Sequence, residues 1–174
     1  MTRMTSRGFS SAEIAVTLAV IGVMAMVVVP SMASMVRRAR VSAASRQVIS
    51  DIRQTRSRSL GTGWEYKLFG FAATSTDVRK NQYRVLARSN SGVAWPADTS
   101  PVMSSTTQRA EAWMNVNTQF PGVRLVSPTA RFEIAFDARG AAPGSASFNP
   151  LVVNNQFGNT TSLTVTTVGN VRVQ

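Results

Sequence analysis

The chain has 174 residues, 44% of them apolar, with a mean hydropathy near zero, the profile of about one ordered domain. It contains no Cys and no His, which excludes disulfides, thiolate zinc sites, cysteine nucleophiles and imidazole bases. The net charge of +11 is carried almost entirely by Arg, because Lys67 and Lys80 are the only lysines. That balance points to an anionic partner, nucleic acid or a phospholipid surface, while the lack of Cys and His makes an enzyme the poorer expectation.

The apolar residues are concentrated near the N-terminus. From Ile14 to Val36 there is no charged side chain, and as far as Val29 the only polar one is Thr17. A bilayer span needs about 20 such residues, so this segment predicts a transmembrane helix. A secretory signal is the competing reading: Arg3 and Arg7 form its basic end, and Ser31-Met32-Ala33 its small-x-small cleavage site. The length of the apolar run and the acid at its mouth, Glu13, weigh against a signal peptide.

Glu13 is the most informative residue. A carboxylate in an apolar helix costs about 2–3 kcal/mol even on lenient insertion scales, so such groups persist when paired. Arg7 lies six residues upstream, a poor spacing for a helical ion pair. A cut after Gly8 would place a new ammonium on Phe9, four residues before Glu13, where it could also reach the Glu13 of a neighbouring molecule.

The run Arg7-Gly8-Phe9-Ser10-Ser11-Ala12-Glu13, followed by an apolar stretch with Gly22 and Pro30, resembles the class III signal of type IV prepilins and type II secretion pseudopilins. The resemblance implies that prepilin peptidase cuts after Gly8 and methylates Phe9. It also implies that Glu13 pairs with the terminal amine of an adjacent subunit during assembly. Ser11-Ala12 stands where the family usually carries two bulky apolar residues.

Pro30 predicts a bend rather than a stop, since it removes one donor within a pattern that stays helical. Beyond it Val41, Ala44, Val48, Ile52, Thr55 and Ser59 recur at steps of three or four and define a buried arc. Arg46 and Arg53 lie opposite the arc, with Arg38, Arg40, Arg56 and Arg58 on its flanks. Gly61-Thr62-Gly63 ends the helix. One helix from about Phe9 to Leu60 would measure about 75–80 Å at 1.5 Å per residue. Its basic half reads as a face solvated near anionic headgroups. Nucleic acid is the weaker partner there, because no aromatic residue is interleaved for base stacking. Three Arg just past the span would by charge alone keep that side cytoplasmic; the family resemblance implies the opposite, a head outside the cytoplasm.

After Gly63 the period becomes that of strands. Trp64, Tyr66 and Leu68 alternate with Glu65 and Lys67, and Tyr83, Val85 and Ala87 with Arg84 and Leu86. Phe132, Ile134 and Phe136 alternate with Arg131, Glu133, Ala135 and Asp137. Ala138-Arg139-Gly140 and Pro143-Gly144 predict turns. Phe148 to Val153 and Leu163 to Val165 read as a hairpin around Gly158-Asn159. Val171 and Val173 close the chain after a bulge at Gly169. Ser89 to Gln108 reads as a long surface loop. The expected organisation is a leader over 1–8, a membrane and assembly helix over 9–36, an amphipathic half over 37–60 and a β-rich head over 61–174. The fold class is α+β and pilin-like, the helix packed on an antiparallel sheet.

The stem ending Asp51-Ile52-Arg53-Gln54-Thr55-Arg56-Ser57-Arg58-Ser59-Leu60, the Phe136-Asp137-Ala138-Arg139-Gly140 turn and the terminal Thr167-Val168-Gly169-Asn170-Val171-Arg172-Val173 are similar to the GspH/FimT family of minor pilins and pseudopilins. Some DNA-receptor members carry Gly-Arg-x-Arg near the C-terminus. Here Asn170 replaces the first Arg, and one cation instead of two weakens phosphate capture. Arg172 and Arg139 are the candidate anion or DNA contacts. The resemblance implies other minor and major pilins or pseudopilins, prepilin peptidase and membrane lipid as partners. It also implies an inner-membrane precursor with a periplasmic head, and assembly into a pilus or a pseudopilus. No cofactor and no metal are expected. Glu133 and Asp137 share a strand face about 13 Å apart, too far for a glycosidase pair. The remaining head acids, Glu65, Asp77, Asp98 and Glu111, are too scattered for calcium. Trp95 and Trp113 are expected to anchor core or loop.

Overall fold

A computed structural model describes residues 10–98, 100–144 and 150–174. The chain divides into two compact units between Arg37 and Arg38. Helix α1 covers Ser11–Thr62 and Pro30 does not stop it. In the first unit the helix is long and apolar enough to cross a membrane. The large apolar side chains described there, among them Ile14, Leu18, Val23, Met26 and Val36, are 46–79% exposed.

In the second unit the helix does what its periodicity predicts: Val41, Ala44, Val48, Ile52, Thr55 and Ser59 are all buried. The two buried hydroxyls are satisfied within the helix, Thr55 donating to the Asp51 carbonyl at 2.6 Å and Ser59 to the Arg56 carbonyl at 2.7 Å. Gly63 terminates it in the left-handed region (φ +67°), its N–H reaching the Ser59 carbonyl at 3.0 Å. This is the αL cap that glycine permits at little steric cost.

The strands are β1 (Glu65–Phe71), β2 (Gln82–Arg88), β3 (Met103–Ser104), β4 (Gln108–Ala110) and β5 (Met114–Asn115). The short helix α2 (Val116–Gln119) follows, then β6 (Val123–Val126), β7 (Arg131–Phe136), β8 (Leu151–Asn155), β9 (Thr160–Val165) and β10 (Val171–Val173). They form two antiparallel sheets rather than the single expected one. The first runs β3-β4-β2-β1-β7 with β5 also on β2, and the second runs β10-β9-β8-β6. The buried arc of α1 shares one core with Leu68, Phe132, Ile134 and Phe136 from the first sheet and Leu125, Leu151, Val153 and Leu163 from the second. The α+β class therefore holds, with two sheets sharing the helix.

Three further expectations are corrected. Strands β1 and β2 do not alternate between core and solvent, because both of their faces are buried. Their outer face carries Phe69, Phe71 and Leu86 under Trp95, Met103 and Trp113. The stretch 89–108 lies on the surface as expected and is irregular up to Val102 among the described residues, but it is not loop throughout. It contains β3 and the start of β4, and arginines clamp it: Arg88 donates to the Val93 carbonyl at 3.1 Å and Arg84 to that of Ser100 at 2.8 Å. Gly169 (φ +83°) is in a turn, not a bulge. Val171 pairs with Val165 and Val173 with Leu163, so the shift in alternation falls between two strands. The hairpin around Gly158 forms as expected between β8 and β9, while Phe148 lies outside the described residues. The alternation of Phe132, Ile134 and Phe136 in β7 is as predicted.

Candidate functional site

Gly8 and Phe9 lie outside the described residues. Glu13 stands in the first turn of α1 in a reciprocal cap. The Ser10 hydroxyl accepts from the Ala12 N–H at 3.2 Å, and Glu13 Oε2 accepts from the Ser10 N–H at 2.8 Å. The Ser-x-x-Glu pattern of a capping box was present in the sequence and gives the acid a local task as well. That bond uses one carboxylate oxygen of a group able to accept about four hydrogen bonds, which leaves capacity for a second partner. Thr17 donates to the Glu13 carbonyl at 2.7 Å.

Farther along the same unit, Gly22 has open space where a side chain would begin, so nothing in the described chain requires glycine there. Pro30 removes the donor that would otherwise reach the Met26 carbonyl.

In the head, Arg172 is exposed on β10 opposite Thr164, and the Arg139 side chain is 91% exposed, 3.6 Å from Asp137. The structure joins the turns that carry this end. Arg56 Nε donates to the Gly140 carbonyl at 3.0 Å, its Nη1 to Asn170 Oδ1 at 2.9 Å, and the Ala142 N–H reaches the Thr167 carbonyl at 2.8 Å. Asn170 thus holds a helix arginine, and Arg56 turns inward as a tie. Sequence periodicity placed Arg56 on the flank of the buried arc but could not show its distant partners.

Glu133 pairs with Lys67 at 3.3 Å, and Asp137 Oδ1 accepts the Arg139 and Ala141 N–H groups, both at 2.9 Å. Among the described residues no three Asp or Glu gather as a metal site would require. Trp113 anchors the outer layer of the first sheet, stacked on Phe71 at 5.8 Å with the Arg84 guanidinium 4.9 Å from its ring. Arg84 is only 2% exposed and its Nε has no hydrogen-bond partner among the described residues. Burial holds this guanidinium below its ordinary range, Arg79 adds to the effect and Asp98 opposes it. On the inner face the Tyr83 hydroxyl donates to Asp51 Oδ2 at 2.6 Å; burial first, then that bond and the carboxylate charge, push its pKa well above the ordinary tyrosine value. No family profile, curated protein or solved structure matches this chain.

Proposed function

We propose that the chain is a minor pilin of the GspH/FimT type, made as a membrane precursor, cut after Gly8 and built into a type IV pilus through its N-terminal helix. In this reading the head stands outside the cytoplasm and the subunit serves initiation or tip assembly. A pseudopilus of type II secretion uses the same motifs, and the neighbours that co-purify with the chain decide between the two. The carrying observation is Glu13, the only acid before Asp51, at the start of an apolar helix whose large side chains stay uncovered. Uncovered apolar surface on this scale calls for lipid or other helices. An acid at its mouth calls for a cation.

Two variants separate pairing from capping. Gln at the third helical position can keep the capping bond but has no charge, whereas Ala loses both. Glu13→Gln and Glu13→Ala should both insert in the membrane and both fail to enter fibres in their native host. Fibres containing Glu13→Gln at the normal level would reduce this carboxylate to a helix cap.

A further inference from the structure

One end of the head carries exposed cations. Arg40 donates to the Pro121 carbonyl at 3.4 Å, and the next residue, Gly122, donates its N–H to Asn117 Oδ1 at 3.1 Å. Asn117 lines a groove of about 430 Å³ with Val78, Lys80, Asn81, Asn115 and Arg124. A second groove of about 250 Å³ lies beside Arg124, lined also by Thr74, Asn154 and Gln156. Arg38, Arg40, Lys80 and Arg124 are all exposed. None of them forms an ion pair among the described residues.

No carboxylate lines either groove. The closest acid in sequence, Asp77, turns its Oδ1 onto the Arg79 N–H at 2.8 Å. The floor is fixed, because Asn81 Nδ2 donates to the Val123 carbonyl at 2.9 Å and its Oδ1 accepts from the Leu125 N–H at 2.7 Å. Val78, 89% exposed, adds an apolar side chain to the wall.

We propose that this end of the head binds the phosphate layer of anionic phospholipid, with Lys80 and Arg124 as contact residues. The inference rests on reading Ile14–Val36 as a membrane span. Arg38 and Arg40 follow that stretch by two and four residues, and cations so placed meet the negative potential of a leaflet. The side-chain amides of Asn115 and Asn117, which line the same groove as Lys80 and Arg124, can donate to phosphate oxygens. No aromatic ring lines the grooves to stack a base, which favours headgroups over nucleic acid.

Lys80 supplies the readout, since the other lysine, Lys67, is buried and paired. The full chain is reconstituted in nanodiscs of phosphatidylcholine, or of phosphatidylcholine with phosphatidylglycerol, and acylation of the two lysines by an amine-reactive ester is followed by mass spectrometry. Lys80 should react about fivefold more slowly in the anionic discs, as one cation bound at the leaflet implies. High salt should abolish the difference. Lys67 should react alike in both, and Arg124→Gln, which removes one neighbouring cation, should shrink the Lys80 effect. Insertion with equal Lys80 rates overturns the lipid site and leaves the span standing. Failure to insert overturns both. Protection of Lys80 in neutral discs by a single-stranded oligonucleotide, as strong as that by anionic lipid, overturns it in favour of nucleic acid.

Discussion

Individual side chains with more than one task explain much of this molecule. Asn81 adopts φ +63°, a conformation asparagine tolerates better than most residues. Its N–H bonds the Phe71 carbonyl, its carbonyl accepts from Val116, and its amide covers the free edge of β6. Replacing it with Ala strands a buried carbonyl and a buried N–H. Asn81→Ala should therefore cost about 3 kcal/mol, seen as a lower melting temperature of the full chain in micelles. Nothing local in the sequence announces this role, since the groups it satisfies lie more than 40 positions away. Tyr83 gives a pH signature. Its proton is held more tightly folded than unfolded, so its stabilisation is present below about pH 10 and lost as pH rises beyond the ordinary tyrosine pKa. Stability of the native chain should fall by up to about 1.4 kcal/mol per pH unit more steeply there than that of Tyr83→Phe, by chemical denaturation. Equal slopes would count against a tightly held proton.

At the scale of elements, helix positions and the alternation of β7 were legible, whereas the environments of β1 and β2 were not. The arc from Val41 to Ser59 depends only on spacing along one helix, so its six residues could be read directly. Whether the second face of β1 and β2 is covered depends on where a distant segment returns. Lys67 and Arg84, which read as solvent-facing, therefore prove buried beneath the 89–108 stretch. The short strand β6 lacked the length to declare itself, and its assignment comes from pairing with β8. Two glycines make the same distinction measurable. Gly70 is opposite Tyr83 on one side and Phe132 on the other, and a methyl there would meet the Phe132 ring and, at 2.8 Å, the Gln82 carbonyl and Tyr83 Cβ. Gly70→Ala should cost about 2 kcal/mol or more in a thermal melt. Gly22→Ala meets nothing within 4 Å and removes a poor helix former, so the folded monomer should tolerate it. Its effect should show in fibres, where a neighbouring helix that approaches closely needs the missing side chain. Normal fibre incorporation of Gly22→Ala would argue against close packing at that turn.

At the scale of the molecule, the basic excess is divided among distinct tasks. Arg56, Arg84 and Arg88 tie loops and turns to the head through backbone carbonyls, whereas Arg38, Arg40, Lys80 and Arg124 remain outside any ion pair among the described residues. Composition alone could give the total charge but not this partition, because folding decides which arginines meet a carbonyl. The assembly reading depends on chemistry at the chain's beginning, ahead of the first described residue. Its most direct test is the mass of the N-terminal peptide of the protein isolated from its native membranes or fibres. The account predicts a peptide starting at Phe9 with a methylated amine; one starting at Met1 or near Ser34 would contradict it.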